Sequence, residues 1–378
     1  MLLVVVARLK TPSEWGVTGQ RLSHVRWGGS PAARGALVER LTWWYALEAP
    51  RSPPVHPLVR RLAVLAFLFS SAVSFVPAAE AWGCKGHQTV ALIAETHLTT
   101  EARELVQKLL TENPIDPGLR RNCGNPILDL FADSSTWADD VSSEAKNGSW
   151  HYINIPRGAS RGALEPFCGS GGCVVQAVAD QLAILKDRNA DPRKRADALR
   201  YLAHFVGDLH MPLHAATNSD QGGNCVPVRY LRRRPHENNN SFAPNLHASW
   251  DVAILERDME GGDPLEYADF LEHSFASEIP KWQAAGIHVE DWTWQSHDLA
   301  EKFAYGQLAP KVPVETPAPV HSCSDAGNIG QRMMQLHLYA GPAYQDSAAP
   351  VIRKQIESAG VRLAMILNDV AESSPPEN

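Results

Sequence analysis

Apolar positions along most of the chain recur every three to four residues. In Glu101–Thr111 the residues Ala102, Leu105, Val106, Leu109 and Leu110 fall at i, i+3, i+4, i+7 and i+8, one helical stripe behind the capping candidate Thr100. Val175, Val178, Ala179, Leu182 and Leu185 repeat the pattern. So do Leu199, Leu202, Ala203, Val206 and Leu209, after the helix-start pair Asp191-Pro192. The same spacing predicts helices over about 264–278, 289–305 and 345–372. Convincing period-two alternation is missing. Stretches rich in Gly, Pro or Asn, at about 112–126, 156–173, 216–245 and 308–328, read as long loops. The expected fold is all-α and single-domain, with its chemistry between helices and on loops.

A different pattern precedes Trp82. Arg60 and Arg61 lead into an apolar run from Leu62 to Val76, which ends in Ala79-Glu80-Ala81. A basic start, a short apolar stretch and an A-x-A ending read as a secretory signal cut after Ala81. A buried helix or an uncleaved anchor is the competing reading, though the run falls short of the roughly 20 residues a bilayer span needs. Signals open a chain, so residues 1–57, with little periodicity, read as an extension ahead of a true start near Leu58 or Val59. A translated cytoplasmic extension is the alternative. The expected organisation is thus an extension over 1–57, a signal over 58–81 and one domain over 82–378. The product would be secreted or periplasmic, with no membrane attachment after cleavage.

Charge narrows the chemistry. The chain carries 35 Lys and Arg against 42 Asp and Glu; from residue 82 onward the balance is 26 against 38, a net charge of −12. Such a surface cannot hold nucleic acid by a broad basic patch, so phosphate would have to be attracted locally, as bound metal would do. All six cysteines, Cys84, Cys123, Cys168, Cys173, Cys225 and Cys323, follow residue 81, and an even count in an exported chain favours disulfides. Cys168 and Cys173 flank a short glycine-rich loop that could close on itself. The other four allow three pairings, and the sequence does not choose among them.

Histidines and aspartates cluster beyond what a core requires. His204 and Asp208 sit four apart on the strongest helix and project from one face. His210 and His214 follow within two turns, with Pro212 ending the helix. His247 and Asp251 form a second H-x-x-x-D pair around Trp250. Trp137-Ala138-Asp139 and Trp150-His151-Tyr152 each place one ligand-type side chain among aromatics, and His87 lies near the expected mature N-terminus. Any one of these has a bland reading as an ion pair, a cap or a core histidine. Together they form the imidazole and carboxylate set of hydrolytic zinc sites, without thiolate.

In this combination the chain from Trp82 to about residue 372 resembles the single-strand-specific zinc nucleases and 3′-nucleotidases of fungi, plants and bacteria, whose fold is that of zinc phospholipase C. The motifs are W-G-C-K-G-H (82–87), W-A-D (137–139), H-Y-I-N (151–154), H-F-V-G-D (204–208), P-L-H (212–214) and N-L-H-A-S-W-D (245–251). The resemblance implies three zinc ions. One would be held by Asp139, His151, His204 and Asp208. A second would be held by the α-amine and carbonyl of Trp82, His87 and a bridging Asp208. The third would take His214, His247 and Asp251. It implies hydrolysis of single-stranded DNA, RNA and 3′-nucleotides to 5′-phosphate products. Asp139 and Asp208 would act in catalysis, and Tyr152 and Asn154 would receive the base.

Two departures from the fungal pattern stand out. Ser142 replaces a basic residue three positions after the W-A-D aspartate, and Asn154 replaces an aspartate at the base site. The patch Arg232-Arg233-Arg234 is either a solvated loop or a phosphate contact that makes up for the lost cation. Zinc phospholipase C is the neighbouring alternative, opposed by the five-residue step from Trp82 to His87 and by Asp251, where the lipases have Glu. A non-catalytic zinc-binding protein is the other, opposed by the complete ligand set.

Overall fold

The computed structural model describes residues 82–123, 129–238, 241–318, 320 and 322–373. The extension and signal expected over 1–57 and 58–81 lie outside the described residues. What is described is helical, as the periodicity predicts. The first helices are α1 (Gly83–Thr96), α2 (Thr100–Glu112), α3 (Leu130–Ser134) and α4 (Trp137–Ala145). The next two, α5 (Val174–Lys186) and α6 (Pro192–Leu209), pack on each other more extensively than any other helix pair. After short strands β1 (Arg229–Tyr230), β2 (His236–Asn238) and β3 (Ser241–Ala243), α7 (Leu246–Ala248) passes through a π-helical turn, Ser249–Ala253, into α8 (Ile254–Asp258). Then come α9 (Pro264–Phe275), α10 (Ile279–Ala285) and α11 (Val289–Leu299), α11 running into a second π turn at Ala300–Tyr305. The last elements are α12 (Asp325–Gln335), β4 (Tyr339–Ala340) and the 31-residue α13 (Pro342–Glu372).

The helix starts have local causes. Asp191 accepts a hydrogen bond from the Lys194 amide with Pro192 in the first turn of α6, and Asp263 does the same for α9 with the Glu266 amide. The cap of α2 is Thr99, whose side chain accepts from the Ala102 amide, one residue before the expected Thr100. The helix expected over 264–278 stops at Phe275, and Pro280 opens the separate α10. Periodicity did not mark the short helices α3, α4, α7 and α8, nor two longer ones. One is α1, because it is buried without interruption from Gly86 to Ala94 and so presents no stripe. The other is α12, which falls partly within the stretch expected to be a loop.

The core forms around α13, which is buried on every face from Gln355 to Ala364. It packs against α1, and a Cβ on Gly360 would stand 2.5 Å from Ile93, so glycine permits that close approach. α1 also contacts α6, which brings the N-terminal residues of the described chain alongside the H-x-x-x-D helix. Strands stay at two or three residues, parallel in the β1–β4 pair and antiparallel in β2–β3. Three disulfides fasten the loops: Cys84–Cys123, Cys168–Cys173 as expected, and Cys225–Cys323. The last ties the loop before β1 to the stretch before α12.

Candidate metal centre

α6 supplies the centre of the cluster. His204 and Asp208, one turn apart, are both fully buried, in a helix otherwise packed with Leu202, Ala203, Phe205 and Val206. The junction of α3 and α4 delivers Asp139 in the first turn of α4 and the Ser135 carbonyl that accepts from His204 Nδ1 at 2.8 Å. His151 ends the 3₁₀ turn Gly148–His151. Asp208 Oδ2 lies 3.1 Å from His151 Nδ1 and 3.3 Å from His204 Nε2. Asp139 Oδ1 lies 3.5 and 3.4 Å from the same two nitrogens. Two donors each about 2.0–2.1 Å from one tetrahedral zinc stand roughly 3.3 Å apart, so these spacings suit a shared ion.

From α1, His87 stacks on His204 with ring centroids 3.8 Å apart, and its Nε2 lies 3.5 Å from Asp208 Oδ1. Gly207 makes this possible: a Cβ there would stand 2.9 Å from His87 Nδ1. Trp82 is fully buried, its indole N–H donating to the Gly207 carbonyl at 2.7 Å. The adjacent Gly83, at φ +46°, lies against Asp251 and Val252, which carries the contact on to the third group. There His247 Nε2 faces Asp251 Oδ2 at 3.0 Å, and His214 stacks on His247 at 5.1 Å. His214 Nδ1 also lies 3.7 Å from Asp208 Oδ1. All nine residues that the resemblance implies as ligands therefore fall in one contiguous cluster, whereas His210 turns away to Arg362 and the Val206 carbonyl.

The rings are held in defined orientations. His214 Nδ1 donates to the His151 carbonyl and His247 Nδ1 to the Gly222 carbonyl, both at 2.7 Å, as His204 Nδ1 does to Ser135. Such backbone anchors leave Nε2 with its lone pair, the form that binds a metal. Two buried carboxylate oxygens without a hydrogen-bond partner lie here, Asp208 Oδ1 and Asp251 Oδ1. Buried polar groups are ordinarily satisfied, so carboxylate oxygens orphaned among imidazoles are what a cation would complete. The sets His87/Asp139/His204, His151/His204/Asp208 and His214/His247/Asp251 could each hold an ion.

The electrostatics agree. Burial pushes the Asp208 and Asp251 carboxyls above the usual range. Burial also acts to raise Asp139, but His204 and His151 outweigh it and hold that carboxyl low. For His204, burial opposes the charge, yet Asp208 and Asp139 together raise the imidazole to about 9. His214 is pushed well below the ordinary histidine value, first by burial and then by His247. Without an ion, this cluster keeps a proton where the ion would stand.

The cluster forms the floor of a cavity of about 770 Å³ that exposes Asp139, His151, His214 and His247. The lining contains no Lys or Arg among the described residues. One wall is an extended segment in which His151, Ile153 and Ile155 point inward while Tyr152 and Asn154 are exposed to the cavity, the alternation expected of strand-like backbone. Phe167 and the stretch around Glu315–Val320 complete the rim. Asn218 and Ser219 brace that stretch through Asn218 Nδ2 to the Pro313 carbonyl and Ser219 Oγ to the Thr316 carbonyl, at 2.9 and 3.0 Å.

A profile described as S1/P1 nuclease matches residues 82–372. The chain belongs to the S1/P1 nuclease family. It is therefore a hydrolase of phosphodiester bonds in nucleic acid. It is similar to nuclease PA3 of a Penicillium species, 27% identical over 302 residues that cover 76% of this chain and 97% of the relative. It is similar also to nuclease P1 of Penicillium citrinum, at 26% with the same coverage. With nuclease S1 of Aspergillus oryzae it shares 27% identity across 77% of this chain and 92% of the relative.

In this S1/P1 nuclease, both departures noted in the sequence, Ser142 and Asn154, line the cavity. The Ser142 hydroxyl donates to the Asp139 carbonyl at 3.0 Å. Arg232, Arg233 and Arg234 are exposed on the turn between β1 and β2, and none lines the cavity. Residues that the sequence did not single out also serve the site. Asp220 is fully buried and accepts from the Asn218 and Gly223 amides and the Tyr305 hydroxyl. This shapes the turn that presents the Gly222 carbonyl to His247. Gly222 has φ +59° and a Cβ there would strike the Leu213 carbonyl at 2.6 Å. Its signal is the Asp220-Gln-Gly-Gly run, readable as a turn but not as a histidine anchor.

Proposed function

We propose that this S1/P1 nuclease is a secreted, zinc-dependent endonuclease. It would act on single-stranded DNA and RNA, release 5′-phosphate products and also dephosphorylate 3′-nucleotides. The observation that carries the reading is the cavity itself: it must take a polyanion, yet among the described residues His and Asp line its floor and no Lys or Arg does. The histidine and carboxylate donors suit zinc. Asp139, His151, His204 and Asp208 would hold one ion. His87, the Trp82 amine and carbonyl, and Asp208 would hold a second, and His214, His247 and Asp251 a third. Zinc so held would offset phosphate charge and acidify a bound water to near neutrality.

The protein's own groups then have separable tasks. Asp139, on the cavity side of the cluster and held ionised by His204, accepts a hydrogen bond from the attacking water and orients it toward phosphorus. Asp208, at the buried junction of the three sets, keeps their spacing. Tyr152, 39% exposed, offers its ring face to an unpaired base, and Asn154 on the same face offers both a donor and an acceptor to the base edge. A paired base has no free face to stack, which selects single strands.

Secretion is supported by the signal-like segment at 58–81 and by three disulfides. No helix among the described residues is long and apolar enough to cross a membrane. Cleavage before Trp82 would create the amine that the second zinc requires. The test is to incubate the protein with single-stranded DNA, RNA, duplex DNA and 3′-AMP, with and without zinc, and to identify the products. Zinc-dependent 5′-phosphate oligonucleotides from single strands are expected. Duplex cut as readily as single strands would overturn the specificity.

A further inference from the structure

A second cluster of metal-ligating side chains lies away from the cavity. His97 follows the C-terminal end of α1, Glu272 sits on α9 and Glu357 on α13. Each offers one ligand atom, and these atoms lie within 4.8 Å of one another. His97 Nε2 stands 2.8 Å from Glu272 Oε1, which also accepts from Thr96 Oγ1 at 2.7 Å. Glu357 is the decisive member: it is 0% exposed, and neither carboxylate oxygen has a hydrogen-bond partner.

A buried, orphaned carboxylate is costly unless a charge is neutralised there. The cations nearest to it along α13 are engaged elsewhere, Arg353 with Asp258, Lys354 with Glu278 and Arg362 with His210 and Gln295. Burial, and then the Glu272 charge, pushes Glu357 up to about 8. Two carboxylates thus share one imidazole: His97 pairs with Glu272, and Glu357 keeps no hydrogen-bond partner of its own. His97 and Glu272 remain partly exposed, at 16% and 20% for their side chains, so the cluster is open to ions from solvent.

We propose that His97, Glu272 and Glu357 bind a divalent transition ion of the zinc class, separate from the catalytic cluster, that ties the end of α1 to α9 and α13. One imidazole with two carboxylates matches zinc or manganese better than calcium, which takes oxygen ligands. The site lies ten residues from His87 along the chain, about 15 Å at helical rise. Its role is to hold the far end of the helix whose near end carries Trp82 and His87. The ion is structural, and water completes its coordination on the exposed side.

The experiment compares the wild type with Glu357→Gln and His97→Ala. Each is purified, equilibrated with buffered zinc and analysed for bound metal by mass spectrometry. Both variants should hold one ion fewer per chain while retaining turnover of single-stranded DNA. The rise in melting temperature on adding zinc to metal-free protein should be smaller for both. Glutamine keeps the shape and removes the charge, so an unchanged metal count in the variants would overturn the proposal. Should Glu357→Gln fail to fold, His97→Ala, altered at the partly exposed rim, decides by the same count.

Discussion

The reading of the catalytic cluster is most exposed at Asp208. Its two oxygens face His87, His151, His204 and His214 at 3.5, 3.1, 3.3 and 3.7 Å, so it touches ligands proposed for all three ions. Asp208→Asn keeps the shape and removes one unit of charge. Two unit charges about 4 Å apart at an effective dielectric near 20 interact by about 4 kcal/mol. Since about 1.4 kcal/mol is a factor of ten, each ion leaning on this carboxylate should bind on the order of 10³-fold more weakly. Because Asp208 faces both the His87 side and the His151 side, more than one ion per chain should be lost after equilibration with buffered zinc, and most turnover with it. The metal-free variant should still fold, because burial already favours the neutral form of Asp208. Metal analysis, turnover of single-stranded DNA and thermal melting of the metal-free protein form the assay. A folded variant with its full metal complement and near-normal turnover would refute the bridging role.

Four further outcomes are expected. Tyr152→Ala should weaken single-stranded substrates by about 1–3 kcal/mol per stacked base with metal content unchanged; loss of metal would instead make the ring packing around His151. In the metal-free protein, His204 is raised from 6.5 to about 9 by Asp208 and Asp139 against the effect of burial. Its stabilisation is therefore full below the unfolded value and lost as pH rises through about 9. Zinc must displace the same proton, so affinity in a chelator competition should climb with pH up to about 9, and a flat profile would contradict this. Gly207→Ala would put a Cβ 2.9 Å from His87 Nδ1; overpacking of this kind costs about 1–3 kcal/mol, and calorimetry with metal analysis should show lower stability and weaker zinc binding. A form beginning at Trp82 should bind more zinc and turn over faster than one with an extra alanine before it, because a peptide nitrogen has no basic lone pair; equal activity would mean that the Trp82 amine is not a ligand.

The amino-acid sequence alone determined what is local in this S1/P1 nuclease. Helical stripes such as Leu199, Leu202, Ala203 and Val206 are a property of neighbouring residues, and α6 forms where they predict it. His204 and Asp208, or His247 and Asp251, share a helix face by spacing alone, and the disulfide Cys168–Cys173 spans only five residues. Tertiary structure decided what depends on distant segments meeting. It paired Cys84 with Cys123 and Cys225 with Cys323 among three combinations. It buried α1 so completely that no stripe marks it. It chose the Ser135, His151 and Gly222 carbonyls as anchors, each 25 to 69 residues from the histidine it orients. It left Arg232, Arg233 and Arg234 in solvent and the cavity floor to histidines and aspartates. A residue's type states which bonds it can make, but only the docking of α1, α6 and α13 settles which partner arrives.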